Sequence, residues 1–126
     1  FSELNAYVSG DIDDGLFVIS GKLVKGVAFS RAEEAINTEI ARISNEVVEA
    51  TELQKVKNRM ESLMAFSELR VLDKAMNLAY YELLGDAGMI NHVVDRYQSV
   101  TADEIMRSAG EIFRGGNCST LHYKAI

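Results

Sequence analysis

The run GLFVISGKLVKGVAFSRAEEAINTEIARI, residues 15 to 43, changes its apolar period part-way along, and that change sets the fold class. Leu16 to Leu23 is dense in residues that favour strands, and Gly21 interrupts it as a bulge or a close backbone contact would. From about residue 31 the apolar positions Ala32, Ile36, Ile40 and Ile43 fall along one side of a helix. Ser30 with Glu33 fits the capping box, in which a hydroxyl and an acidic side chain satisfy free N–H groups of the first turn. A strand thus hands over to a helix within a single short stretch.

Working outward, Leu4, Ala6 and Val8 alternate with their neighbours as a second strand would, and SGDIDDG between the two is a turn-rich hairpin connection. Thr51 with Gln54 and Thr101 with Glu104 repeat the capping pattern. Together these signals predict helices over about 31–44, 52–84 and 102–113, and a shorter one from Met89 to Gln98. In the long segment, Leu53, Val56, Met60 and Leu63 make one stripe, and Leu69, Leu72, Met76, Ala79 and Leu83 make another. The two stripes are out of register, so a break is expected near Ala65 to Glu68. Gly85 closes KAMNLAYYELLGD, residues 74 to 86, as a helix stop able to take positive φ. Asn45 to Ala50 reads as a surface connection. Cys118 to Lys124 alternates as a half-buried strand would. The expectation is an α+β chain, with a small antiparallel or mixed sheet of two N-terminal strands and one C-terminal strand. About four helices would cover it.

Length and composition suit one domain over residues 1–126, at 48% hydrophobic residues. No apolar run approaches the roughly 20 residues of a membrane span, and no signal peptide is visible. The start at Phe1 suggests a segment excised from a longer protein, so the domain is expected to be incomplete and its compartment stays open. The net charge of −6, with Lys and Arg scattered among the acids, argues against nucleic-acid binding. A single cysteine, Cys118, allows no internal disulfide.

The candidate chemical groups reduce to ordinary structural roles. Asp11, Asp13 and Asp14 invite a calcium reading, but position 5 of such a loop would be Gly15 and position 12 Lys22. A polar hairpin turn is the better account. His92 and His122, the only histidines, sit on different elements with no second ligand at zinc spacing. They read as a helix-surface and a strand-borne histidine. Cys118 reads as a packed thiol. Ser9, Ser20 and Ser30 lack a nucleophile-elbow setting, and Gly115-Gly116 reads as a turn rather than a phosphate cradle. Tyr80 and Tyr81 point about 100° apart on one helix, so one suits a core and the other a rim. No catalytic, cofactor-binding or metal-ligating residue is assigned to this chain.

GLFVISGKLVKG followed by a helix with AEEAI resembles the last domain of pitrilysin/insulinase-type zinc metallopeptidases. LQKVKN, KAMNLAYYELLGD, SVTADEIMRSAGEIF and NCSTLHYKA continue the likeness in order over nearly the whole chain. The smaller bacterial, processing-peptidase-like members are the most similar, which leaves bacterial cytoplasm and periplasm both open. The resemblance implies an α+β unit that closes like a clamshell with an N-terminal catalytic domain around a peptide substrate. Zinc would sit on an H-x-x-E-H motif of that other domain, and this chain has no such motif. The family's C-terminal domain often adds an Arg and a Tyr that hold substrate. Here the Tyr position falls on Phe1, which has no hydroxyl to donate, and the Arg would lie upstream. The implied role is a non-catalytic scaffold and substrate-clamp portion, with self-association of the isolated chain. A self-standing interaction module without enzymatic activity is the alternative.

Overall fold

A computed structural model describes residues 1–10, 12–67 and 69–124. The chain is α+β: two antiparallel strands, β1 (Glu3–Ser9) and β2 (Leu16–Lys22), precede helices α1 (Phe29–Asn45), α2 (Ala50–Ser67) and α3 (Val71–Leu83). A 3-10 helix (Ala87–His92) runs into α4 (Val93–Ser99), and α5 (Ala102–Ile112) closes the helical part.

The hairpin register is unbroken from Glu3 opposite Lys22 to Ser9 opposite Leu16. Gly21 is therefore no bulge. It is a close approach, since a Cβ there would lie 2.9 Å from the Phe1 ring. The loop demands its glycines as well. Gly10 sits at φ 133°, and a Cβ on Gly15 would overlap the Ser9 carbonyl oxygen.

Of the three expected capping boxes, one forms. Thr101 Oγ1 accepts from the Glu104 N–H at 3.2 Å, and the Glu104 carboxylate accepts from the Thr101 N–H at 2.8 Å. The Thr101 N–H, and with it the Thr101 hydroxyl donating to the same carboxylate at 2.8 Å, hold the Glu104 carboxyl below the usual carboxylate range. Ser30 lies inside α1, which starts one residue earlier and has no side-chain cap at Ala28. Thr51 likewise falls inside α2, where Gln54 donates instead to Asn58 Oδ1 at 2.8 Å.

The expected break in the long segment is present, between α2 ending at Ser67 and α3 starting at Val71; Glu68 lies outside the described residues. Gly85, at φ 112°, ends α3 in a Schellman motif. Its N–H bonds the Glu82 carbonyl at 2.9 Å and the Asp86 N–H bonds the Tyr81 carbonyl at 3.1 Å. The short helix expected from Met89 opens as the 3-10 turn, whose first N–H groups include Gly88, bonded to Asp86 Oδ1 at 2.7 Å.

The third strand does not form. Residues 118–124 pair with nothing as a strand among the described residues. His122 instead stacks on Phe29, with ring centroids 4.5 Å apart, and places Nε2 2.9 Å from Glu33 Oε1. These contacts bring His122 against the start of α1 and leave Leu121 92% exposed.

Packing joins the helices in pairs: α1 with α5, α2 with α4, and α3 with the 3-10 helix. Ala32 and Ala109, with Val93, are the buried apolar residues among the described ones. In α2 the covered side runs through Leu53, Lys57, Met60 and Met64, rotated from the expected stripe, so Val56 and Leu63 face out. The rotation follows Lys57, whose Nζ donates to the Gln98 carbonyl at 2.7 Å, with Gln98 Nε2 donating to Glu61 at 3.0 Å. In α3 the expected stripe is uncovered: Leu72, Met76 and Leu83 are exposed, and the half-buried side carries Asp73, Asn77 and Tyr81. The chain exposes 10408 Å². A compact monomer of its mass, 13.9 kDa, would expose about 6,700 Å².

Candidate functional site

A groove of about 700 Å³ lies between the hairpin and α1. It exists because the strand period puts Leu4, Ala6, Phe17 and Ile19 on one face of the hairpin. The helix period of α1 turns Ile36, Ile40 and Ile43 toward the same space. No helix packs closely on the hairpin among the described residues. Its aromatic anchor is Phe17, edge-on to Phe113 at the end of α5, with ring centroids 4.9 Å apart. Phe1 also lines the groove, with its ring beside Gly21.

The charged residues at the groove are unequal in sign. Glu39, Glu46, Glu49 and Glu52 line it, with Arg42 as the basic member. Arg42 is already engaged, since its guanidinium lies 2.7 Å from Glu39 Oε2. No ion pair engages the Glu46, Glu49 or Glu52 carboxylates among the described residues. The groove is apolar within and acidic along one side. Its shape and lining suit holding a polypeptide segment.

A smaller cleft of about 160 Å³ lies among α2, α3 and α4, lined by Met64, Asn77, Tyr80, Tyr81 and Val93 among others. The two tyrosine rings meet edge-on at 5.5 Å. Tyr81 is half-buried and Tyr80 exposed, the division expected of adjacent helix positions.

The candidate chemical residues are not brought together. His92 ends the 3-10 helix on the surface. His122 is on an unpaired segment rather than a strand, and Cys118 is exposed rather than packed because that strand is missing. Gly115-Gly116 forms a turn closed by the Asn117 N–H to the Arg114 carbonyl at 2.8 Å. Asp11 lies outside the described residues, so the acidic hairpin turn is described only at Asp13 and Asp14. No group of three or more His, Cys, Asp or Glu side chains is placed to hold a metal ion among the described residues. No described helix is long and apolar enough to cross a membrane.

Sequence reasoning missed the acidic margin. Its signal is the spacing of Glu46, Glu49 and Glu52 across the connection into α2. The pairing of His122 with Glu33, across 89 positions, has no signal in the sequence. No protein-family model matches the chain, and no curated protein is significantly similar to it.

Proposed function

We propose that this chain is the C-terminal, non-catalytic portion of a pitrilysin/insulinase-like zinc metalloendopeptidase, serving as scaffold and substrate-clamp half. One resemblance carries the reading: GLFVISGKLVKG, AEEAI, LQKVKN, KAMNLAYYELLGD, SVTADEIMRSAGEIF and NCSTLHYKA, in this order along nearly the whole chain, look like segments of the family's last domain. The surface excess of about 3,700 Å² over a compact monomer is in keeping with apolar faces that further polypeptide completes. The partners would be an N-terminal catalytic domain and a peptide substrate. Zinc would belong to that catalytic domain, on the H-x-x-E-H motif that the resemblance places there. No step of peptide hydrolysis is assigned to any residue here.

The parent gene should encode H-x-x-E-H upstream. Expressed alone, the chain should release no peptide from a quenched substrate and retain no stoichiometric zinc on metal analysis. Tightly held zinc with turnover would overturn the reading. The isolated chain should also self-associate. β1 and β2 carry no proline, each has one charged residue, and both outer edges are unpaired among the described residues. A monomer by light scattering over a wide concentration range would count against this.

The second reading is a self-standing α+β module that binds a peptide or protein, and the open acidic groove favours it. A natural start codon near Phe1 would select the module, and a longer reading frame the peptidase portion.

A further inference from the structure

The geometry points to the groove between the hairpin and α1 as a docking site for a cationic amphipathic segment of a partner protein. This holds whichever of the two readings above is correct, because it uses only the groove. The hairpin wall offers Phe17 and Ile19, and the helix wall offers Ile36 and Ile40. Such a paired apolar lining takes the apolar face of a helix or strand. The space is continuous and open, which suits a segment better than an enclosed small molecule.

The margin selects the sign of the partner. Arg42 is held by Glu39, which leaves Glu46, Glu49 and Glu52 without an opposite charge among the described residues. Lysine or arginine beside an apolar stripe would answer those three carboxylates and steer the encounter. A second copy of this chain fits poorly there, since it brings a net charge of −6 to an acidic margin. Anionic partners such as nucleic acids are repelled for the same reason.

The test is fluorescence anisotropy of the whole chain with a labelled leucine–lysine amphipathic peptide. About 15 residues would span roughly 22 Å as a helix. The matched probe replaces each lysine with glutamate. The lysine peptide should bind saturably, at least about tenfold tighter than the glutamate peptide, and weaken as salt shortens the screening length. E46K/E49K/E52K should weaken it at least about tenfold. Ile40→Asp should do the same by placing a charge in the apolar wall. A control triple, Asp95→Lys, Asp103→Lys and Glu111→Lys, takes the net charge from −6 to 0 as well. It should bind like the parent chain. The milder E46Q/E49Q/E52Q triple carries the test if reversal disturbs the helical far-UV signal. Equal binding of the two peptides, or equal loss in the marginal and control triples, would overturn the proposal.

Discussion

Replacing Phe113 with Ala should loosen the hairpin from the helices while leaving the helices paired. Phe113 meets Phe17 edge-on at 4.9 Å, the aromatic contact that ties β2 to α5. Phe113 is half-buried, so only part of its ring is covered. A fully buried Phe→Ala change costs about 3–5 kcal/mol. Scaling for partial burial leaves about 2 kcal/mol, within which the ring–ring contact accounts for about 0.5–1.5 kcal/mol. An isolated two-stranded hairpin is marginal in water, so the loss should appear first as local opening. Amide hydrogen exchange is the assay: residues 3–9 and 16–22 should lose protection, and α1 and α5 should keep theirs. A double-mutant cycle with Phe17→Ala should show a coupling of about 1 kcal/mol. Additive single effects, with hairpin exchange unchanged, would refute the idea that this ring pair anchors the wall of the groove.

Other expectations follow from particular backbone and side-chain geometries. Gly85→Ala should cost about 1 kcal/mol, from φ of 112° alone, because nothing lies within 4 Å of the added methyl. Gly15→Ala should cost more, since its Cβ would overlap the Ser9 carbonyl oxygen; thermal melts of the two variants rank them. Thr101→Ala should cost about 1 kcal/mol by removing the cap of α5, whereas Ser30→Ala should change little because Ser30 caps nothing. Equal melting shifts would contradict this. The cap should also depend on acid. Glu104 titrates below its ordinary value because its carboxylate accepts the Thr101 N–H and hydroxyl. Its contribution is then full above the ordinary glutamate range and is lost as pH falls through the lowered value. Glu104→Gln should flatten that acid-side loss of stability in pH-dependent melts.

The elements whose information is local were legible. The Thr101–Glu104 box, the Gly85 stop and the break between the two out-of-register stripes each depend on bonds or contacts within a few residues. So did the two N-terminal strands, because a hairpin pairs neighbours through its own turn. Failures came where a competing local or distant partner decided. Ser30 and Thr51 had the right spacing, but their helices began earlier. The stripe through Leu72 and Met76 has the period of a buried face, yet nothing covers it, because period records which residues share a side and not which side finds a neighbour.

The sequence by itself determined that this is an α+β chain and where its hairpin and most of its helices lie. Those properties follow from backbone preference and short-range pairing. The tertiary structure alone decided the rest. It left 118–124 without a sheet partner and set His122 against Phe29 and Glu33. It turned α2 so that Lys57 could reach the Gln98 carbonyl. It also held the hairpin off α1, opening the acid-margined groove. Each of these depends on contacts between residues far apart in sequence, and neither alternation nor spacing specifies which distant surfaces meet.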